Sequence, residues 1–242
     1  METLKPNFST FEIKLPNGQK LPPTVLSTES DRRLIYKAWE LLNRPTGPLE
    51  DYGDLFYPSA GYDLLTPTII GLPFCTRFYF FECGSLPHEK IKAIQRRFSL
   101  ISDDAKCSVS AHNKGCDYQF THADIERHAY WVRGHNKKFL EMDINLAMYF
   151  HRGDSPGEGG AGEFWDSEFL SYLANMAGSG TLRIVTQGEP GGVHSIARRY
   201  LEEFSINNRS TMLRDGLYFI GELPRIAITA PDCNIKYTIR AK

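Results

Sequence analysis

The stretch Asp54–Asp63, DLFYPSAGYD, ends a short apolar run (Leu55, Phe56, Tyr57) at Pro58 and opens into Ser59-Ala60-Gly61, with the acidic Asp63 just beyond. Small residues directly after a strand let the backbone turn sharply and bring its N–H groups close to a ligand. A helix following such a turn points a partly positive end at the same spot. Two readings are open: a nucleotide-like molecule held at Gly61, or a tight strand-to-helix turn and nothing more. Asp63 also suits a helix cap, an effect of about 0.5–2 kcal/mol. Glu82 ends an aromatic run and follows Gly61 at a spacing of about twenty residues, which suits a carboxylate accepting from both hydroxyls of a ribose. Its alternative is a strand-end carboxylate paired with a surface base.

Two further loops carry unusual residues. His151–Glu163, HRGDSPGEGGAGE, holds five glycines between an apolar strand and a helical pattern, which implies backbone that moves or approaches something closely. Its charged groups, His151, Arg152, Asp154 and Glu158, are expected to lie over the first loop. There they suit a general base, a substrate clamp or metal carboxylates; a flexible solvated loop is the plain alternative. Gln187–Gly192 precedes another helical pattern and suits a phosphate, but it lacks the Gly-Lys-Ser/Thr ending of a P-loop. There is no Gly-x-Ser-x-Gly elbow, and no cysteine has an evident partner base. Cys107, His112, Cys116, His122, His128 and His135 lie near one another, but their spacings match no closed four-ligand pattern, so no metal is expected.

The elements that must position these loops alternate for most of the chain. Asp31–Asn43 has Leu34, Ile35, Ala38, Leu41 and Leu42 at helical spacing. A strand is expected at Leu55–Tyr57, a short helix at Leu64–Leu72 and a strand at Arg77–Phe81. The last is apolar at both parities, as in a parallel sheet covered on both faces. His88–Leu100 reads as a helix with Ile91, Ile94 and Phe98 on one side. Ala105–His135 is the least legible part, with strands at Cys107–Ala111 and His128–Val132 and a polar insertion between them. Asp143–Phe150 is another doubly apolar strand, Phe164–Met176 an amphipathic helix, Leu182–Val185 a strand and Val193–Phe204 a helix. Leu217–Ile220, Ile226–Thr229 and Ile235–Ile239 read as strands with no helix between them. The expected fold is therefore an α/β three-layer sandwich, mostly parallel and ending in an antiparallel hairpin. Residues 1–48 read as an N-terminal extension with a helix, and residues 49–242 as a single domain.

The chain has 242 residues, 41% hydrophobic and 24% charged, with a formal net charge of −1. That is enough to bury one core, and the charge balance gives no global field for nucleic acid. No apolar run approaches the roughly 18 residues a bilayer demands, and the N-terminus lacks a signal-peptide core. The five cysteines are odd in number and show no C-x-x-C pair, so free thiols and a cytoplasmic, reducing compartment are expected.

Taken together, the order of elements resembles the class I S-adenosylmethionine-dependent methyltransferases, whose fold is Rossmann-like. The shared features are the turn Ser59-Ala60-Gly61 with Asp63, the acidic strand end at Glu82, a polar loop after Asp143–Phe150 and a closing antiparallel element. The resemblance spans roughly residues 30–242 in topology and a handful of positions in motif. It implies that Ser59, Ala60, Gly61, Asp63 and Glu82 hold S-adenosylmethionine, a small-molecule cofactor. It also implies that Asp154, Glu158 or His151 removes a proton from the acceptor. Tyr57-Pro58 stands where the family carries an acidic residue, and His151–Gly162 replaces its Asp/Asn-Pro-Pro-aromatic motif. Two other functions stay open: a non-catalytic binding or regulatory descendant of that fold, and a different nucleotide- or phosphate-using enzyme built on Arg152–Gly162 and Gln187–Gly192.

Overall fold

Residues that are apolar at both parities need cover on two faces, and the chain supplies it by alternating strand and helix. The computed structural model describes residues 12–22, 25, 26, 28–44, 52–134, 139, 142, 144–152, 167–178, 180–188, 201–213 and 216–225. A two-stranded ribbon, β1 (Ile13–Lys14) and β2 (Lys20–Leu21), precedes helix α1 (Glu29–Leu41). Thr28 caps α1, its hydroxyl oxygen accepting from the Asp31 N–H at 3.1 Å. Strand β3 (Gly53–Tyr57), helix α2 (Leu65–Gly71), strand β4 (Cys75–Glu82) and helix α3 (His88–Ser99) follow in turn. Pro67 sits in the first turn of α2, where its missing N–H costs nothing.

After α3 comes a meander of β5 (Ser108–His112), β6 (Gly115–His122) and β7 (Ile125–Arg133). Strand β8 (Leu146–His151), helix α4 (Ser167–Asn175), strand β9 (Thr181–Gly188), a helical turn at 201–204 and the hairpin β10 (Ile206–Leu213) and β11 (Gly216–Pro224) complete the described elements. Among the described residues nine strands form one sheet in the order β10-β11-β9-β8-β3-β4-β7-β6-β5. β7, β4, β3, β8 and β9 are mutually parallel, and β11 runs antiparallel between β9 and β10. The chain thus winds outward from β3 in one direction, returns, and winds outward in the other. The reversal lies between β3 and β8, and in such sheets the crevice at the carboxyl edge beside the reversal binds ligands.

Alternation along the central strands divides the core in two. Leu55, Tyr57, Phe78 and Phe80 meet the layer of α1, α2 and α3, whereas Phe56, Tyr79, Phe81 and Tyr149 meet Phe169, Leu170 and Leu173 of α4. Phe56 stacks on Phe139 at 3.8 Å between ring centres. At the amino edge, the fully buried Asp54 accepts two bonds from Arg77, at 2.6 and 2.8 Å, and one from the Asn145 N–H at 3.0 Å. That carboxylate ties β3, β4 and the entry to β8 in register. Burial works against its charge and raises its pKa, while Arg77 pulls the other way. Gly53 beside it admits no side chain, because a Cβ would collide with the Asn145 carbonyl and Ala147.

The structure corrects two expectations. Residues 113–127 are no polar insertion: Cys116, Tyr118 and Phe120 alternate inward along β6, which pairs with both β5 and β7. The closing antiparallel element begins earlier than expected, with β10 and β11. β10 is an edge strand whose first five residues are exposed. The expected strands 226–229 and 235–239 lie outside the described residues, as do 164–166 of the expected helix 164–176 and 193–200 of the expected helix 193–204. Among the described residues Cys75, Cys83, Cys107 and Cys116 are free, no group of three or more His, Cys, Asp and Glu is placed to hold a metal, and no helix is long and apolar enough to cross a membrane.

Candidate functional site

The carboxyl ends of β3, β4 and β8 converge beside the reversal. The turn after β3 is tight: Ser59 has φ 52° and Gly61 φ 54°. Ser59 there is a non-glycine residue in the left-handed region, a conformation that surrounding contacts must hold. They do. The Ala60 N–H donates to the Phe81 carbonyl at 2.9 Å, and the Gly61 N–H donates to Glu82 Oε2 at 2.9 Å. Glu82 Oε1 accepts from the Gly84 N–H at 3.1 Å, and Trp131 Nε1 donates to the Gly61 carbonyl at 3.0 Å. Beyond Gly61 no described residue comes within 4 Å of where a Cβ would stand.

Among the described residues Glu82 pairs with no surface base. It spans from its own strand to the first loop, a link that the spacing of 21 residues places across one crossover. Each carboxylate oxygen spends one acceptor position on backbone, and a carboxylate has about four, so a diol can still be received there.

Asp63 does not cap α2, whose N-cap has no side-chain hydrogen bond. Instead Arg152, the first residue after β8, reaches across to it: Nη1 lies 3.4 Å from Asp63 Oδ2 and 2.7 Å from Asp31 Oδ1 of α1. The Tyr57 hydroxyl donates to the Arg152 carbonyl at 3.1 Å. Arg152 thus stands over the first loop, between two carboxylates. Asp31 was not legible as part of this arrangement, because it is 121 residues from Arg152 and marks only a helix start in the sequence.

His151 ends β8 and is 1% exposed, its ring stacked on Tyr149 at 6.2 Å. Asp154 and Glu158, the other two candidate bases, lie outside the described residues, as does most of Gln187–Gly192; Gln187 and Gly188 themselves belong to β9. The structure therefore brings together Ser59, Ala60, Gly61, Asp63 and Glu82, adds Asp31, Arg152 and Trp131, and leaves His151 buried at the end of β8.

Desolvation raises the Asp63 pKa to about 6, against the pull of the Arg152 guanidinium and with a further push from the Asp31 carboxylate. A carboxyl whose pKa is higher folded than unfolded lowers stability when ionised. The cost is complete above about 6 and vanishes as pH falls toward the ordinary value. Asp63→Asn is therefore expected to raise the melting temperature at pH 7.5, and the gain should shrink as pH drops through 6 toward 4. A gain independent of pH, in differential scanning calorimetry, contradicts this account of Asp63.

The strand order and the turn at the reversal define the class of fold: an α/β, Rossmann-like sandwich, mostly parallel and closed by antiparallel strands. No family model and no curated protein matches the chain. Among solved structures it is similar to a candidate RNA methyltransferase from Pyrococcus horikoshii, at 10% identity and a TM-score of 0.42, over 86% of this chain and 90% of that one. It is similar to TrmK of M. capricolum, solved with S-adenosyl-homocysteine, at 6% identity and a TM-score of 0.39, over 79% and 67%. It is also similar to a human methyltransferase 10 domain containing protein, at 10% identity and a TM-score of 0.44, over 81% and 82%.

Proposed function

We propose that this chain binds S-adenosylmethionine at the carboxyl edge of β3 and β4 and serves as a methyltransferase. The observation that carries this reading is the Glu82 carboxylate, fixed beside the open face of Gly61 by two backbone N–H bonds. It leaves acceptors aimed at a sugar. The donors of the turn are already used: the N–H groups of Ala60, Gly61 and Asp63 all bond within the protein. A loop that offers carboxylates and few free N–H groups suits a sugar–sulfonium ligand better than a phosphate, which needs donors. This favours the methyl-donor reading over a phosphate-using enzyme at this loop.

When bound, the cofactor supplies a methyl group on a sulfonium, displaced in line by an acceptor lone pair. The chain's own residues bind and orient. Glu82 takes the ribose hydroxyls, and Ser59, Ala60 and Gly61 shape the floor. Asp63 and Arg152 present one carboxylate and one guanidinium, a match for the ammonium and carboxylate of the amino-acid end. For an acceptor that must lose a proton, Asp154 or Glu158 is assigned the role ahead of His151, whose burial keeps it from the acceptor. The domain is assigned to residues 49–242, with 1–48 an extension whose helix α1 lends Asp31 to the site.

A second reading has one observation in its favour: the Gly61 N–H is spent on Glu82, so the turn cannot give that bond to a ligand. A non-catalytic module would bind cofactor without turnover. Isothermal titration with S-adenosylmethionine tests the binding, and methyl transfer from labelled cofactor into cell extract separates the two readings. Heat of binding is expected; none at millimolar ligand removes the proposal.

A further inference from the structure

On the flank of the same edge, the tip of the β5–β6 hairpin, the end of β7 and the start of α3 surround a recess of about 190 Å³. Leu86, Ile91 and Trp131 give it apolar walls, while Ser85, Asn113 and Arg133 give it a polar rim. Four cations stand exposed around it: Lys90 and Lys92 on either side of Ile91, Lys114 at the hairpin tip, and Arg133, whose N–H donates to the Lys114 carbonyl at 2.8 Å. None of the four forms an ion pair among the described residues. Three neighbouring acids are engaged elsewhere, and Glu89 stands exposed beside Lys90 in the first turn of α3. Glu82 holds Gly61 and Gly84, and Asp117 and Glu126 both face His128. Tyr62, in the first loop, is 43% exposed, with Lys90 Nζ at 5.3 Å from its ring centre.

Unpaired cations around a base-sized recess, with an exposed aromatic ring beside them, match the chemistry of a single-stranded nucleic acid. Phosphates pair with the cations, and an unstacked base finds an aromatic or apolar face. An acidic polypeptide would use the cations but not the recess or the ring. We propose that this rim binds single-stranded nucleic acid and presents it to the cofactor site as the methyl acceptor. The overall charge of −1 does not oppose this, because the cations are concentrated on one flank. The acceptor role rests on the cofactor reading above; the binding is separable from it.

The test is fluorescence anisotropy of a labelled single-stranded RNA, with titration calorimetry of S-adenosylmethionine on the same preparations. Four phosphate contacts predict about 50-fold weaker binding between about 50 and about 200 mM salt. The variant K90Q/K92Q/K114Q/R133Q is expected to bind RNA at least tenfold more weakly, with a flatter salt slope and an unchanged affinity for the cofactor. Tyr62→Ala, which leaves the charge intact, is expected to weaken RNA about fivefold or more, and poly-glutamate should compete poorly. RNA binding that the quadruple variant retains overturns the proposal, and so does equal competition by poly-glutamate. Loss of cofactor affinity in the quadruple variant assigns the rim to the cofactor and also overturns it. RNA bound by a protein that binds no S-adenosylmethionine leaves the surface standing and removes the methyl-acceptor role.

Discussion

Glu82→Ala is expected to weaken S-adenosylmethionine binding by roughly 30- to 150-fold, the equivalent of about 2–3 kcal/mol for lost bonds to a charged acceptor. Two effects combine. The ribose hydroxyls lose their acceptor, and the Gly61 and Gly84 N–H groups lose the partner that holds the turn at 2.9 and 3.1 Å. Both N–H groups lie near the surface and can bond to water, so melting should fall only slightly. Glu82→Gln keeps one acceptor oxygen and should lie between the two. If Glu82 serves only to brace the turn, the alanine variant will lose stability and affinity in proportion. A large affinity loss with near-normal melting points to direct contact with the ligand.

The second large effect belongs to the core behind the site. Phe56 is fully buried in the central strand and meets Phe81, Phe139 and Tyr149 with ring centres 3.8–6.0 Å away. Truncation to alanine removes a whole ring from a surface that cannot collapse around it. The expected loss is about 3–5 kcal/mol, or roughly 10 °C in melting temperature for a chain of this size. Urea unfolding should show a lower midpoint with an unchanged slope. The same strand carries the first loop, which begins two residues further on at Pro58, so weaker cofactor binding should accompany the loss and recover at lower temperature. A loss under about 1 kcal/mol would mean that the layer of α4 does not pack as described.

Where the sequence signal was strong, it rested on burial from two sides. Leu55–Tyr57, Arg77–Phe81 and Asp143–Phe150 read as apolar at both parities because helices cover both faces, and that pattern survives without knowledge of the partners. The β6 strand was equally readable, since Cys116, Tyr118 and Phe120 alternate with Asp117, Gln119 and Thr121. It was obscured because its polar half faces solvent and its histidines suggested other chemistry. β10 left no such signal. Asn207, Asn208, Arg209 and Ser210 lie on an exposed edge, where pairing with β11 rather than hydrophobic pattern fixes the strand.

The site divides in the same way. Glu82 was accessible through its distance from Gly61, because one crossover fixes that spacing. The Arg152–Asp31 contact and the Trp131–Gly61 hydrogen bond were not, since they join residues 121 and 70 positions apart that only the sheet order brings together. The role of Asp63 changed as well. In the sequence it reads as a helix cap or a ligand group; in the fold it is a carboxyl with its pKa raised to about 6, facing a guanidinium. A cationic ligand would favour its ionised form, so cofactor affinity should rise with pH through that value and then level off.

The most direct measurement of the central claim is a crystal structure of the protein soaked with S-adenosyl-homocysteine. The account predicts the ribose hydroxyls within hydrogen-bond distance of the Glu82 carboxylate, above Gly61, with the amino-acid end toward Asp63 and Arg152. Density for the ligand elsewhere on the chain, or none at saturating concentration, would contradict it.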